Sequence, residues 1–504
     1  MISGCYIVKD EEDVLAASIR ALRPFVDEVV VYDTGSSDGT VQVARREGAV
    51  VVQGHWDDDF GGARNRALAH CRGAWVVCVD ADEVADGDPA AWREELARTR
   101  ATALAVEQVS GAADGSGRQT SAWLSRGLRP QECRWEGALH EQVVARRGEL
   151  VGDLARSLRL RHSGYEPDRM AARDKGRRNL RIASLALQRH GGDTVDGRRV
   201  RLLLNVGRSA TGSGEHRTAL EAFEDLLRQG PQLGELVSAA RCAVESALAV
   251  DDVALARTWV ERARAAGESA SACRAMEGRI AHAAGDAETV VRLLDGLDEV
   301  VDHSGAALDT SLHGDWVADA LFRLGQVQRA AEVLTAHVLA RRSSTRPTVV
   351  VERLAQVPGA LEALVARMPG EQVSAMAADL AEAGSGLGRF MGAVWDCGRS
   401  RAAVLEQLTR DPRCLAPDDV LDWIGRLAAA GAPAGTFLLA VAQRSQVCTP
   451  SRLVAAAVLV EAGAAEALPV LDRLLALVPH EEEATVRSLI ARAAPAVAAA
   501  LEPA

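Results

Sequence analysis

Three carboxylates stand where a buried strand is expected to end, in the run Trp75-Val-Val-Cys-Val79-Asp80-Ala-Asp82-Glu83. Trp75 to Val79 is an unbroken apolar run, which is typical of a strand buried on both faces of a parallel sheet. Charges at the end of such a strand are costly unless pairing, a pKa shift or a metal compensates them. An Asp-x-Asp pair there can hold Mg2+ or Mn2+, which in turn binds a diphosphate. A solvated acidic turn is the alternative.

The residues around these carboxylates alternate between strand and helix patterns. Short apolar, β-branched runs predict strands over residues 2–8, 28–32, 49–52 and 75–79. Helical spacing predicts helices over residues 13–22, 41–47 and 62–71. This alternation favours a parallel sheet covered by helices, whose ligands bind at the carboxyl ends of the strands.

Asp33 ends the second predicted strand and opens the polar, Gly-rich turn 34–40. Its carboxylate could accept hydrogen bonds from a base or ribose, or it could cap the turn. The turn contains neither the Lys-Ser/Thr pair of a P-loop nor a G-x-G-x-x-G fingerprint. The residues of this turn therefore leave both interpretations of Asp33 open, and they match neither common motif for nucleoside triphosphates or dinucleotides.

Composition limits the possible classes of protein. A chain of 504 residues suggests two to four domains, and an aromatic content of 4% favours cores of Ala, Val and Leu packed between helices. The net charge of -12 disfavours a nucleic-acid partner. Nine cysteines without a Cys-x-x-Cys pair fit reduced thiols, and no signal peptide or apolar run of spanning length is present. We therefore expect a cytoplasmic protein without a transmembrane segment.

Several ordered motifs resemble one enzyme family. Residues 33–40 (Asp-Thr-Gly-Ser-Ser-Asp-Gly-Thr), 60–65 and 75–83 resemble the inverting family 2 glycosyltransferases of GT-A fold, in that order and with similar spacing. Residues 134–141 and 161–165 (Arg-His-Ser-Gly-Tyr) extend the resemblance to about residue 190. The branch that they resemble joins this α/β domain to C-terminal tetratricopeptide-like helices, and it includes transferases that glycosylate peptides and proteins.

The resemblance implies a nucleotide-diphosphate sugar as donor and a divalent cation, Mn2+ or Mg2+. It implies that Asp82 contacts the cation, while Asp80 lies against the ribose or shares the ion. His162 would be a third metal or diphosphate contact, although a lone histidine is more often a structural residue. Asp10 stands where the branch usually has Asn, and we assign it no role.

The resemblance also implies the catalytic element, His140-Glu141, with Glu141 as the base that takes the acceptor's proton. Orientation of the acceptor, or a salt bridge to a nearby arginine, is the alternative for Glu141. Arg64 and Asn65 at a helix start could bind the diphosphate through the guanidinium fork and the helix N-terminus. An ion pair between Arg64 and residues 57–59 is the competing interpretation.

The chain beyond residue 200 is rich in Ala, Leu and Arg, and a pattern recurs in it. A turn residue is followed five positions later by a small or β-branched residue and four later by an apolar one. The turn residues are spaced by 37, 34 and 40 residues: Gly214, Asp251, Gly285 and Gly325. These spacings scatter around the ~34-residue tetratricopeptide period. We predict a GT-A domain over 1–190, tetratricopeptide-like helical repeats over 191–345 and a further all-α region over 346–504.

The sequence thus predicts a metal-dependent inverting glycosyltransferase. Because helical solenoids present extended surfaces, we expect a polypeptide acceptor docked on the repeats. The repeats could instead serve dimerisation, so a homodimer is the alternative. Other candidates are an interaction scaffold with a degenerate transferase domain, and a transferase acting on a glycan or lipid-linked acceptor. A nucleotidyltransferase would need a Gly-rich triphosphate loop near its N-terminus, which residues 1–12 lack.

Overall fold

The chain contains two compact units. The computed structural model describes residues 1–111, 119–162, 175–191, 197–399, 401–410, 412 and 415–501. The first unit comprises Met1–Gly285 with Leu297–Asp309, and the second comprises Asp286–Gly296 with Thr310–Ala504. The three-part division expected from the sequence stays a prediction.

The first part of the chain forms a parallel sheet, as the sequence predicts. Its strands are β1 (Ile2–Val8), β2 (Glu28–Asp33), β3 (Val50–Gln53) and β4 (Trp75–Cys78). The helices between them are α1 (Leu15–Leu22), α2 (Thr40–Arg46) and α3 (Phe60–Leu68). β1 pairs in parallel with both β2 and β4. The carboxyl ends of these three strands therefore lie at one edge of the sheet.

The apolar runs explain the position of the central strands. All six residues of β2 and all four of β4 are buried, which confirms the predicted double-sided burial. Removing each Val or Leu side chain from water contributes about 1.5–3 kcal/mol, so a run of them fixes the strand at the centre of the sheet. The polar residues that follow β4 are forced to the edge where the strand ends.

The second part of the sheet is largely antiparallel, and the sequence analysis did not predict it. Its elements are β5 (Glu83–Gly87), α4 (Pro89–Arg98), β6 (Ala103–Gly111), β7 (Gln119–Leu128) and β10 (Gly152–His162). The strand order is β3-β2-β1-β4-β7-β6-β10-β5. β10 pairs antiparallel with β5, with His162 opposite Glu83. This pairing brings the end of a distant strand to the carboxylates that follow β4.

A small second sheet carries the loop 137–141. It consists of β8 (Cys133–Glu136) and β9 (Gln142–Ala145), which pair antiparallel. The first amides of α3 donate hydrogen bonds to this loop, Phe60 to the Ala138 carbonyl at 3.0 Å and Gly61 to the Gly137 carbonyl at 3.1 Å. A Cβ at Gly61 would lie 2.6 Å from the Gly137 oxygen, so the close approach requires glycine.

Among the described residues of the first unit, six helices follow β10. They are α5 (Lys175–His190), α6 (Gly197–Ser213), α7 (His216–Arg228), α8 (Leu233–Ala249), α9 (Val253–Ala266) and α10 (Ala270–Ala283). Phe223 of α7 and Trp259 of α9 are both fully buried and meet edge to face, with ring centroids 6.1 Å apart. Such aromatic pairs add about 0.5–1.5 kcal/mol beyond the area that they bury.

The recurring pattern in the helical region is confirmed. The four predicted turn residues all have positive φ, at 81°, 59°, 73° and 72° in chain order. A left-handed residue ends one helix and lets the chain start the next. The positions five and nine residues later are at most 2% exposed in every case: Ala219, Phe223, Ala256, Val260, Val290, Leu294, Ala330 and Leu334. The two positions of each pair are four residues apart and therefore lie on one helix face.

The second unit is helical throughout its described residues. Its helices are α11 (Ala287–Leu294), α12 (His313–Arg323), α13 (Val327–Leu339), α14 (Pro347–Ala355), α15 (Ala360–Arg367), α16 (Gly370–Ala383), α17 (Leu387–Asp396), α18 (Arg401–Arg410), α19 (Pro417–Ala429), α20 (Gly435–Gln443), α21 (Thr449–Glu461), α22 (Leu468–Leu475), α23 (Glu483–Ala493) and α24 (Pro495–Ala500). In the described part of the chain, no helix is both long enough and apolar enough to cross a membrane.

Candidate functional site

A cavity of about 690 Å³ opens at the carboxyl edge of the sheet. Its volume lies within the range of about 300–1,000 Å³ that is usual for small-molecule sites. The lining includes charged side chains from four separate segments, namely α3, the end of β4, the loop after β8 and the end of β10. These side chains are Arg64, Asp80, Asp82, His140, Glu141 and His162.

Arg64 joins two of the predicted site carboxylates. Its Nη2 donates to Asp80 Oδ1 at 2.9 Å and its Nε donates to Glu141 Oε1 at 2.6 Å. The guanidinium lies 5.1 Å from the centre of the Trp135 ring and the residue is 5% exposed. Burial alone would lower the pKa of Arg64, but Asp80 and Glu141 raise it. Arg64 is therefore a fixed positive charge at the cavity wall.

Asp80 is held by a second arginine that the sequence analysis missed. Arg126 on β7 donates from Nη2 to Asp80 Oδ2 at 2.7 Å and to Glu83 Oε1 at 2.6 Å. Desolvation opposes ionisation of Asp80, but Arg126 and Arg64 hold its pKa far below the usual range. Asp80 is thus ionised and receives a hydrogen bond on each carboxylate oxygen.

Glu83 is completely buried beneath this pair. It accepts hydrogen bonds from Arg126, from the Gln108 side chain and, at 2.8 Å, from the Asp80 amide. Burial raises the pKa of Glu83, the neighbouring charge of Asp80 raises it further, and Arg126 opposes both. Glu83 does not line the cavity, and its contacts are those of a structural residue.

Asp82 and His162 meet at the floor of the cavity. The distance from Asp82 Oδ2 to His162 Nε2 is 3.3 Å. The hydrogen bond with Asp82 raises the pKa of His162. Burial opposes ionisation of Asp82, but the contact with His162 lowers its pKa. These two residues are 80 positions apart in the chain and meet because β10 pairs with β5.

The loop that carries His140 and Glu141 is anchored from the helical side. Leu139 is 7% exposed and packs with Ile182 of α5 and Val206 of α6. Asn205 of α6 donates from Nδ2 to the Leu139 carbonyl at 3.1 Å. His140 has a φ of 53°, a left-handed conformation that costs free energy outside glycine and is often found at functional sites.

Residues 5–130 match the family model described as Glycosyl transferase family 2. Residues 5–130 therefore lie in a family 2 glycosyltransferase domain. It has the GT-A, Rossmann-like fold predicted from the sequence, and an all-α helical-repeat region follows it.

Two curated relatives and one solved structure are similar to parts of this chain. A TPR repeat-containing protein of Synechococcus elongatus is 29% identical over 45% of this chain and 57% of its own length. An uncharacterized glycosyltransferase of Rickettsia typhi is 38% identical over 16% of this chain and 28% of its own. Glucosyl-3-phosphoglycerate synthase from Mycobacterium tuberculosis, in a crystal structure with Mn2+ and uridine diphosphate, is 26% identical over 22% of this chain and 44% of its own, with a TM-score of 0.19. The chain thus spans 57% and 28% of the two curated relatives.

Two of the predicted donor-binding residues of the glycosyltransferase domain make other contacts. Asn65 donates to the Trp135 carbonyl at 2.8 Å and accepts from the Trp135 amide at 2.9 Å, away from the cavity lining. Asp33 accepts from the amides of Gly35 and Ser36, each at 3.2 Å, and so caps its turn. Their roles in donor binding stay predictions.

The first amides of α3 and the aspartate run 57–59 have partners within the protein other than Arg64, whose role at a diphosphate stays a prediction. The first amides of α3 are occupied by the loop 137–138, and Asp59 accepts from the Gly62 amide at 2.7 Å. These amides are therefore used within the protein. The ion pairs of the aspartate run 57–59 involve other arginines, namely Arg66 with Asp57 and Arg181 with Asp58.

The basic residues of α5 lie partly at the same cavity of the glycosyltransferase domain. Arg178 and Arg181 line it, although the sequence analysis did not single out Arg181. The Arg181 guanidinium is held by Asp58 at 2.5 and 2.6 Å. The sequence signal that could have indicated Arg181 is the basic helix that follows the motif at residues 161–165. Residues 163–165 of that motif lie outside the described residues.

The donor set at Asp82 and His162 fits a divalent cation bound together with substrate oxygens. Mg2+ sites commonly use one or two carboxylates plus phosphate oxygens and water. Among the described residues, no group of three or more His, Cys, Asp or Glu side chains is arranged to hold a metal without such additional ligands. Both oxygens of Asp80 already accept from arginines, so a shared ion would have to replace one of these contacts.

Proposed function

We propose that this protein is a metal-dependent inverting glycosyltransferase that moves a sugar from a nucleotide-diphosphate donor to a polypeptide acceptor. The observation that carries the proposal is the convergence of two pairs, Asp82 with His162 and Arg64 with Glu141, on one cavity at the end of β4. The pairs supply a carboxylate and an imidazole for a cation, a fixed positive charge for a diphosphate and a carboxylate base.

The reaction is a single displacement at the anomeric carbon of the donor sugar. Glu141 takes the proton of the acceptor nucleophile as that atom bonds to the anomeric carbon from the face opposite the diphosphate. The bond from the anomeric carbon to the diphosphate oxygen breaks, and its electron pair leaves with the nucleoside diphosphate. Arg64, buried and ion-paired, presents a preorganised charge to that leaving group.

In this proposal Asp82 and His162 would hold the cation, and Asp80, which orients Arg64, would lie against the ribose or share the ion. When bound, a divalent cation provides Lewis-acid stabilisation of the departing diphosphate. The left-handed backbone at His140 aims the loop so that Glu141 lines the cavity. Asp33 and Asn65 remain candidates for donor binding through the segments that they brace.

The proposed polypeptide acceptor is supported by the position of α6, where the helical-repeat region begins, and of α5 before it. α5 and α6 pack directly on the loop that carries the proposed base, through Ile182 and Val206. A partner bound to these helices therefore reaches the loop without crossing the sheet. A glycan or lipid-linked acceptor, and a homodimer formed through the repeats, are the alternative outcomes for this part of the proposal.

The test is Asp82→Asn, assayed with a panel of UDP- and dTDP-sugars and Mn2+. Loss of a metal-binding carboxylate should lower donor turnover at least ~100-fold, which is about 2.7 kcal/mol of transition-state stabilisation. Mn2+ binding, measured by calorimetry in the presence of the donor, should weaken in parallel.

Asp86→Asn is the matched control, because Asp86 lies on β5, four residues after Asp82, and forms an exposed ion pair with Arg161 at 2.8 Å. Exposed pairs contribute about 0–1 kcal/mol, so this variant should keep both turnover and Mn2+ affinity. Near-normal turnover by a folded Asp82→Asn, or full activity of the parent in EDTA, contradicts the metal assignment. A parent chain that neither binds nor turns over any sugar nucleotide is instead a scaffold.

A further inference from the structure

A second cavity, of about 590 Å³, lies where the helices α5, α6 and α8 face the loop 137–141, which carries the proposed base. Residues 136–140 and Gln142 form one wall, and side chains from α5, α6 and α8 form the other. Leu139 and His140 line both this cavity and the one at the sheet edge. A ligand in the second cavity would therefore contact the same loop that carries the proposed base.

Four arginines line this cavity: Arg189 on α5, and Arg198, Arg201 and Arg208 on α6. The three on α6, together with Asn205, are spaced by three, four and three residues, which places them on one helix face. That face is turned to the loop, since Asn205 donates to the Leu139 carbonyl at 3.1 Å. The charge is thus concentrated where the helical region meets the catalytic loop.

Three acidic side chains also line the cavity, and each has a hydrogen-bond or ion-pair partner within the protein. Asp59 accepts from the Gly62 amide at 2.7 Å, and Glu235 accepts from the Gln232 amide at 2.9 Å. Glu136 pairs with Arg134 at 3.0 Å. Within the described residues, none of the four arginines forms an ion pair with a carboxylate. Their charges are therefore available to an anionic ligand.

The charge extends to the loop itself. Desolvation lowers the pKa of His140, and the positive charge of Arg208 lowers it further. His140 is thereby favoured in its neutral form, in which one ring nitrogen can accept a hydrogen bond from a neutral donor. The loop side of the cavity supplies hydrogen-bonding groups, while the α6 side supplies positive charge.

We propose that this second cavity is the acceptor subsite and that it binds the carboxylate side chains of an acidic polypeptide segment. The inference rests on the proposed function and deepens it. A polypeptide is favoured because α6, the first helix of the recurring helical-repeat pattern, forms much of the cavity wall, and helical repeats commonly hold extended peptides. The arginines would seat acidic side chains that flank the acceptor residue, and the loop would receive the acceptor residue itself.

The experiment measures binding of fluorescein-labelled hexaglutamate to the full chain by fluorescence anisotropy, without nucleotide sugar or metal. Arg198→Gln/Arg201→Gln should weaken binding at least tenfold, and added salt should weaken binding to the parent chain. Arg217→Gln/Arg257→Gln makes the same change in net charge at exposed arginines outside the cavity, and it should alter binding less than twofold. Hexalysine should not bind, and thermal denaturation checks that both double variants are folded.

Equal loss of hexaglutamate binding in both double variants would indicate a general charge effect and overturn the proposal. So would retention of binding in Arg198→Gln/Arg201→Gln. Inorganic pyrophosphate is the second probe: if it binds through these arginines and hexaglutamate does not, the acceptor is phosphate-bearing and the polypeptide assignment is wrong. Because no donor is present, these outcomes are independent of whether the chain transfers sugar.

Discussion

Glu141→Gln separates the two roles that its contacts allow. Glu141 Oε1 accepts from Arg64 Nε at 2.6 Å, so the residue could act as the base or only as the ion-pair partner of Arg64. The glutamine oxygen can occupy the same position and accept the same hydrogen bond. In glutamine the second carboxylate oxygen, which would take the acceptor's proton, is replaced by an amide NH2 group that cannot accept a proton.

The expected magnitudes of the two roles differ. Exchanging a charged acceptor for a neutral one at Arg64 reduces a hydrogen bond worth about 1.5–3 kcal/mol to one worth about 0.5–1.5 kcal/mol. The middles of the two ranges differ by about 1.25 kcal/mol, which lowers turnover or donor affinity by roughly tenfold. Loss of a general base lowers turnover by ~10²–10⁴ and leaves donor affinity nearly unchanged. A fall in turnover above a hundredfold therefore assigns the base.

The assay is single-turnover release of nucleoside diphosphate, with water or the acceptor as nucleophile, and donor affinity is measured separately by calorimetry. Glu132→Gln is the control, because it makes the same chemical change at an exposed residue 3.8 Å from Arg129. Added formate should partly restore turnover to Glu141→Ala by replacing the lost carboxylate. Turnover of Glu141→Gln within tenfold of the parent, or a loss confined to donor affinity, refutes the base assignment.

Two further predictions concern the residues that support the site. Arg126→Met should destabilise the fold by about 3–5 kcal/mol, because it leaves the buried carboxylate of Glu83 without its charged partner. Burial raises the pKa of Glu83, so the protein loses stability as pH rises through that pKa and the buried carboxyl group ionises. The loss of stability caused by Arg126→Met, measured by thermal denaturation of the full chain, should therefore be larger near pH 8 than near pH 5. Asn205→Leu should lower kcat about two- to tenfold with donor affinity unchanged, because it removes the hydrogen bond to the Leu139 carbonyl. A kcat equal to that of the parent would show that packing of Leu139 alone positions the loop.

The parallel half of the sheet could be predicted because its signals are local. β1, β2, β3 and β4 are short apolar runs separated by helical spacing, and their observed bounds differ from the predicted ones by one residue at most. The repeats were accessible for the same reason, since Gly214 and the later turn residues precede buried positions at fixed distances. The antiparallel strands carry no such signal. β10 alternates exposed and buried residues over only part of its length, and its partners β5 and β6 are far from it in the sequence.

In the candidate site too, residues in local motifs could be predicted, whereas residues brought in by distant strands could not. Motif spacing indicated Asp82, Glu141 and His162, and all three line one cavity. Arg126 was missed because nothing in its local sequence marks it, and only the pairing of β7 with β4 brings it to Asp80. Asp80 itself could not be interpreted fully from the sequence. Its two arginine contacts arise from α3 and β7, which are separate elements of the fold.

The loop 137–141 is attached to α3 on one side and to the helices α5 and α6 on the other. On one side the amides of Phe60 and Gly61 at the start of α3 bind its carbonyls, and on the other Asn205 and the apolar side chains of α5 and α6 fix Leu139. A ligand seated against α6 therefore acts on a loop whose opposite side is attached to the helix that carries Arg64. Because Arg64 contacts both Asp80 and Glu141, a shift of this loop changes the position of the proposed base and of the positive charge together. A ligand that binds at α6 and shifts this loop would therefore move the proposed base and Arg64 without any movement of the sheet.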